Sequence, residues 1–315
     1  MTVMVTGGNG FIGGHVLREL IKKGEKPVSY DIEPPSEEMN DVAEKVKVFH
    51  SDALNVTDLL RAIKENKVTH IIHMVSLLTS ASQQNPVMAY RINVGSLLNV
   101  LEAARIMDIR RIVYSSSLAV YGQTSENPVN EDHSKDPISL YGATKLFCEH
   151  LGWTYHEMFG IDFVAVRWPV VWGPGHGKKM DMSQVHGARK FADIIEKPIQ
   201  GESVRVSGGS QRYELIYVKD AARSLVLALF AENLKHHIFN AGCESMVTLQ
   251  DLAEMVKKYI PKALITIEEG FDYAVPCRGY LDISRARTEL GYEPQFKTPR
   301  SVEDYMAHFG VKSSS

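Results

Sequence analysis

Tyr141 and Lys145 stand four residues apart in Tyr141-Gly-Ala-Thr-Lys145, so a helix would put the phenol and the ammonium on one face. An ammonium beside a phenol favours phenolate and lowers its pKa. A phenol tuned in that way can pass a proton to or from a substrate oxygen near neutral pH. A second stretch with chemical content is Thr6-Gly-Gly-Asn-Gly-Phe-Ile-Gly13, between a predicted strand and a predicted helix. Gly7, Gly10 and Gly13 permit a tight turn and a close approach of backbone N–H groups to a pyrophosphate at a helix N-terminus. Asp31 ends the next predicted strand, where a carboxylate suits the ribose hydroxyls of an adenosine and repels a 2′-phosphate. The following Ile32-Glu-Pro-Pro-Ser-Glu-Glu38 holds no arginine, so NAD is expected rather than NADP. Asp52, after the third strand, can reach the adenine amino group or simply close a turn.

The elements that must position these residues alternate. Short apolar runs predict strands at Val3–Val5, Val28–Tyr30, Val46–Phe49, His70–Met74, Arg111–Tyr114 and Asp162–Arg167. Between them, helices are predicted through Leu17 to Gly24, over Leu59–Lys64, as one long helix over Pro86–Met107, and over Leu140–Phe159. This βαβ order predicts an α/β fold: a Rossmann-type, doubly wound parallel sheet covered by helices on both faces. After Pro174 the pattern loosens, and shorter strands and helices near 185–196, 248–259 and 301–308 predict a smaller, discontinuous substrate-binding lobe. The expected division is 1–173 for the cofactor domain, with 204–240 returning to it, and 174–203 with 241–315 for the lobe. Within the returning part, Leu215–Val218 reads as material of the main sheet. Ligands of such sheets bind beyond the carboxyl ends of the strands, where all the motif residues fall.

The 315 residues are 44% hydrophobic and 23% charged, an ordinary globular balance. A net charge of -3 leaves no basic footprint for nucleic acid. Cys148, Cys243 and Cys277 are scattered without metal-ligand spacing, so no metal is expected and the thiols suit a reducing cytoplasm. No apolar run reaches the ~18 residues needed to span a bilayer, and the first residues read as a strand rather than a signal peptide.

Further segments join these motifs: His73-Met-Val-Ser76, Asn93, Ser115-Ser-Ser-Leu-Ala-Val-Tyr-Gly122, Arg167-Trp-Pro-Val-Val-Trp-Gly-Pro174, Tyr217-Val-Lys-Asp220, Asp282-Ile-Ser284 and Leu290-Gly-Tyr-Glu-Pro294. With them the chain resembles the extended short-chain dehydrogenase/reductase family, its NAD-dependent epimerase/dehydratase group, over nearly its whole length. The resemblance implies that Ser117 hydrogen-bonds the reacting oxygen, that Tyr141 is the acid/base, and that Lys145 tunes Tyr141 and holds the nicotinamide ribose. It implies an NAD site made of Gly7, Gly10, Phe11, Ile12, Gly13, Asp31, Asp52, Ala53, Met74, Val75, Ser76, Asn93, Ser115, Tyr141, Lys145, Trp168, Pro169 and Val170. Leu78, Thr79, Ser117, Leu118, Arg212 and Arg278 are the implied substrate residues, although both arginines read equally well as solvated surface groups. His73 reads as packing support. His176, Lys178 and Lys179 lie in a loop that can cover the site or simply be solvated. By the same resemblance, the helices at 86–107 and 140–159 are expected to pair two copies into a homodimer.

Two departures narrow the reaction. Sugar dehydratases of the family place acids after the active-site serine or threonine, where this chain has Leu118 and Ala119. Loss of water needs an acid for the leaving hydroxyl, so dehydration is disfavoured. Nucleotide-sugar epimerases commonly carry an asparagine where this chain has Val170. The leading expectation is therefore NAD-dependent oxidation of a secondary alcohol on a small sugar, sugar acid or hydroxy acid. Epimerisation of a (nucleotide-)sugar with tightly bound NAD is the alternative, and a non-catalytic NAD-binding regulator stands third.

Overall fold

Val3 and Val5 point to one side of the first strand and Met4 to the other, and all three are fully buried. A strand buried on both faces needs helices on both faces. The computed structural model, which describes residues 1–175, 189–271 and 279–312, supplies them. Its strands are β1 (Thr2–Thr6), β2 (Lys26–Asp31), β3 (Lys47–His50), β4 (His70–His73), β5 (Arg111–Ser115), β6 (Asp162–Arg167), β7 (Val170–Trp172), β8 (Val204–Ser207), β9 (Arg212–Tyr217), β10 (Ile238–Asn240), β11 (Met246–Thr248) and β12 (Ile265–Glu268). Its helices are α1 (Phe11–Lys22), α2 (Val56–Asn66), α3 (Thr79–Gln84), α4 (Pro86–Ala89), α5 (Ser96–Ile106), α6 (Leu140–Phe159), α7 (Arg189–Ile199), α8 (Val218–Phe230), α9 (Leu249–Lys257) and α10 (Thr298–His308).

Seven strands form one parallel sheet in the order β10-β6-β5-β4-β1-β2-β3. The order reverses between β1 and β4, which opens a crevice at their carboxyl ends. This is the doubly wound Rossmann topology expected from the alternation. On one face, Val16, Leu17 and Leu20 of α1 pack with Ala221, Leu225 and Leu229 of α8 against Val3, Val5 and Val113. On the other, Leu59 and Ile63 of α2, Leu97 and Leu101 of α5 and Cys148 of α6 cover Met4, Ile71 and Ile112. Each fully buried Val, Leu or Ile contributes roughly 1.5–3 kcal/mol relative to an exposed one.

The predicted long helix over Pro86–Met107 is not uniform. Between α4 and α5, Tyr90–Gly95 forms a π-helical segment, which turns Asn93 and Val94 into the interior. The returning stretch 204–240 is shared out. Helix α8 and strand β10 join the large sheet's layers, whereas β9 is the central strand of a separate sheet, β11-β9-β7, and β8 pairs with β12. Leu215 and Tyr217, read from the sequence as main-sheet material, thus pack with Trp172, Phe191 and Val247 in the smaller core, whereas Ile216 between them faces the large core. A run of apolar residues shows that a strand is buried but not in which sheet.

Helix α6 lies unusually close to the sheet at Gly152, where a β-carbon would sit 2.2 Å from the Phe163 ring. Phe163 is itself buried, so its ring does not face solvent into which it could swing. Gly152→Ala is therefore expected to destabilise the fold by about 1–3 kcal/mol, read as a lowered midpoint in thermal denaturation.

Candidate active site

Helix α6 begins at Leu140 because Ser139 caps it, its hydroxyl accepting the Gly142 N–H at 3.1 Å. Tyr141 is thereby in the first turn and Lys145 one turn further on. The end of β5 lies alongside. Ser117 follows it and caps the short turn Leu118–Tyr121, its oxygen accepting the Ala119 N–H at 3.1 Å. Gly142 explains how the two approach: a β-carbon there would lie 2.5 Å from the Ala119 carbonyl. Thr144, between Tyr141 and Lys145, accepts from Asn93 Nδ2 at 3.0 Å and donates to the Tyr141 carbonyl at 2.8 Å.

Lys145 is 1% exposed. Its Nζ donates to the Ser115 carbonyl at 2.7 Å, and lies 4.7 Å from the Tyr114 ring centroid and 5.5 Å from that of Tyr141. Burial pulls the ammonium down to about 8. The Tyr141 phenol behaves differently from the sequence expectation. Desolvation pushes it up to about 12, and a hydrogen bond with Ser117 opposes this only in part. Spacing put Lys145 on the same face as Tyr141, but the tertiary structure engages its charge with the Ser115 carbonyl.

These residues form one end of a cleft of about 950 Å³ that runs over the carboxyl ends of β1, β2, β4, β5 and β6. At the other end, Gly7 turns with φ +76°, and Gly13 presses so near it that a β-carbon would stand 2.2 Å from the Gly7 carbonyl. Asp31 Oδ2 accepts the Asn9 N–H and Oδ1 the Glu33 N–H, both at 2.9 Å. One carboxylate thus ties the glycine loop to β2 and still lines the cleft. Asp52 closes a turn, with Oδ1 accepting Leu54 N–H at 2.9 Å, and also lines the cleft, so the two roles weighed for it are compatible.

Phe11, Ile12, Ala53, Met74, Val75, Ser76, Trp168, Pro169 and Val170 line the same cleft, as do Leu78, Thr79, Ser115, Ser117 and Leu118. Asn93 and Arg212 are not among the described residues that line this cleft. Asn93 is not in the wall: it clamps the Leu77 backbone, accepting its N–H at 2.7 Å and donating to its carbonyl at 3.2 Å, and reaches Thr144. It supports the cleft from behind. Arg212 sits at the exposed start of β9 in the smaller sheet, and its charge acts on Asp251. Arg278 lies outside the described residues, as do His176, Lys178, Lys179 and Cys277. His73 is packing, as read: it is buried, bonds Thr6 Oγ1 at 2.7 Å and Ser96 Oγ at 3.2 Å, and burial holds its imidazole down at about 3, hence neutral. Among the described residues, no His, Cys, Asp and Glu gather in a group of three or more fit to hold a metal.

The sequence reading passed over several residues. Arg18 lines the cleft while its guanidinium is held by Asp41 at 2.9 and 2.8 Å. Gln83, Ile138 and Ser139 also line the cleft. A basic residue two turns into α1, after the glycine loop, is the one local signal for Arg18. Nothing in the local pattern marks the others.

The fold and this cleft define a nucleotide-cofactor enzyme of the doubly wound class. Residues 3–242 match the NAD dependent epimerase/dehydratase family, and the chain belongs to it. It is an NAD-dependent enzyme of that family. It is 33% identical to UDP-glucuronate 4-epimerase 6 of Arabidopsis thaliana, over 99% of this chain and 73% of that protein. It is 28% identical to UDP-glucuronate 4-epimerase of Thermodesulfobacterium geofontis, over 95% and 93% of the two chains. The structure of Thermus thermophilus UDP-glucose 4-epimerase in complex with NAD superimposes with a TM-score of 0.85 at 25% identity, covering 98% of this chain and 99% of that one.

The residues present fit NAD: a glycine turn that a β-carbon would block, a carboxylate at the end of β2, and a buried ammonium at the far end. Gly13→Ala is expected to weaken NAD binding by more than about tenfold, measured by calorimetric titration with the far-UV circular dichroism unchanged.

Proposed function

We propose that the chain is a UDP-sugar 4-epimerase that uses bound NAD. The support is twofold: relatives spanning almost all of the chain carry that activity in their names, and Ser117 and Tyr141 meet at the cleft with no acid beside them. Of the two reactions left open by the sequence, these relatives favour the second.

When bound, oxidised NAD supplies the hydride acceptor and a positive charge that favours the Tyr141 phenolate. The chain's own work is at oxygen. Ser117 donates a hydrogen bond to O4 of the sugar, and Tyr141 takes the O4 proton as the C4–H bond breaks, leaving a 4-keto sugar. When the C4–H bond re-forms, Tyr141 returns the proton to O4. No net oxidation results. Inversion requires hydride to return to the opposite face of C4, so the keto sugar must turn in the cleft. Leu118, Ala119, Ile138 and Val170 make part of the substrate end apolar, a surface with few directional bonds that allows that turn. Lys145 holds the nicotinamide ribose, and Asp31 the adenosine ribose. The neutral residues after Ser117 again disfavour dehydration.

Val170 supports one other reading. An apolar side chain there suits net oxidation of a small free hydroxy compound, which would accumulate NADH.

We also infer a cytoplasmic homodimer. The buried free thiols of Cys148 and Cys243 suit a reducing compartment, and no helix among the described residues is long and apolar enough to cross a membrane. Val87, Tyr90, Leu98, Ile106 and Phe147 are large apolar side chains left exposed on the helices expected to pair. Phe147→Glu is expected to shift the sedimenting species from dimer to monomer.

The reaction is tested by incubation with UDP-glucose and UDP-glucuronate, following C4 configuration by NMR and NADH by absorbance. Inversion without net NADH is expected, and Tyr141→Phe should slow it at least ~10²-fold while changing NAD affinity little. NADH accumulation without inversion would overturn the epimerase in favour of the dehydrogenase.

A further inference from the structure

Three consecutive serines end β5 and its extension, and each reaches a different residue of α6. Ser117 stands beside Tyr141 in the cleft wall and draws its phenol down against the effect of burial. The Ser115 carbonyl accepts from Lys145 Nζ at 2.7 Å, and the Ser116 hydroxyl donates to Glu149 Oε1 at 2.5 Å. Positions 141, 145 and 149 recur every four residues, so the three contacts form a ladder down one face of the helix. The proposed chemistry uses the first two rungs and leaves the third unexplained.

That third rung is a buried charge. Glu149 is 2% exposed and Arg167, at the end of β6, 1%. Arg167 grips both carboxylate oxygens, Nε to Oε1 at 2.8 Å and Nη2 to Oε2 at 2.6 Å. Its remaining reach, Nη1 to the Tyr121 hydroxyl at 2.7 Å, continues to Asn240 Oδ1 at 2.7 Å. Burial works against the guanidinium charge, and Glu149 more than offsets it. A buried ion pair rarely adds net stability over an apolar pair of the same volume, so its presence here calls for another use.

We propose that Ser116, Glu149 and Arg167 form a positioning unit for the active site: they fix the register of the serine run against α6 and hold the Glu149 carboxylate one helical turn along from Lys145. Lys145 is faced from its own helix by Tyr141, Cys148 and Glu149, from β5 by Tyr114, and from β4 by the neutral His73; Arg167 on β6 reaches it only through Glu149. Burial sets Lys145 at about 8, with Cys148 and Glu149 acting upward. Removing the Glu149 charge lowers the value further. Because the site needs the ammonium, activity is then lost at a lower pH on the alkaline side.

The inference rests on the acid/base reading of Tyr141, so Tyr141→Phe is the reference in its test. Steady-state C4 inversion, as kcat and KM, is measured against pH for the wild type, Ser116→Ala, Glu149→Asp, Glu149→Gln and Tyr141→Phe. Ser116→Ala leaves the ion pair in place and is expected to lower kcat about tenfold with KM and NAD affinity unchanged. Glu149→Gln is expected to move the alkaline limb to lower pH, and Glu149→Asp to restore it in part. If Glu149→Gln fails to fold, the kcat-against-KM split of Ser116→Ala decides the matter. Folded variants with wild-type kcat and pH profile, beside an inactive Tyr141→Phe, overturn the positioning unit alone. A fully active Tyr141→Phe overturns the acid/base reading and the unit with it.

Discussion

A buried ammonium sets the terms for this active site. Lys145 has almost no access to water, and an isolated buried charge is costly unless bonded. Its partners are the Ser115 carbonyl and the faces of Tyr114 and Tyr141. For those contacts to exist, the first turns of α6 must lie against the end of β5. Gly142 and Gly152 provide the closeness, Ser139 starts the helix in the right place, and Asn93 braces it through Thr144. The π-helical segment Tyr90–Gly95 is what turns Asn93 inward to do so.

The cofactor end obeys a similar economy of parts. Asp31 holds the Asn9 and Glu33 N–H groups, so the group that would receive a ribose also shapes the glycine loop. Ser29 donates to Asn9 Oδ1 at 2.7 Å, and Asn9 Nδ2 donates to the Glu33 carbonyl at 2.6 Å, which closes the loop against β2 from both sides. Loop shape and ligand preference therefore cannot be varied separately at this position. At the opposite end the wall is mostly uncharged, which suits a substrate that must move between two half-reactions.

Where expectation and structure part, the cause is a partner distant in sequence. Tyr141 and Lys145 were read as an isolated pair on a helix, and on that basis the phenol should be acidic. In the folded chain desolvation acts on both, and the Ser115 carbonyl takes the ammonium. Arg18 and Gln83 entered the cleft lining because of where α1 and α3 end up, not because of any local pattern.

Local sequence already carried the parallel sheet, the glycine turn, the carboxylate at the end of β2 and the helical face shared by Tyr141 and Lys145. Each of these is periodic or local: apolar alternation, a glycine spacing between strand and helix, a four-residue repeat. Only the tertiary structure decided what Lys145 bonds to, which way the Tyr141 pKa moves, which sheet holds β9, and that Ser116 and Glu149 meet across 33 residues of chain. Those are consequences of burial and of contacts between distant segments, and neither is encoded in any window of neighbouring residues.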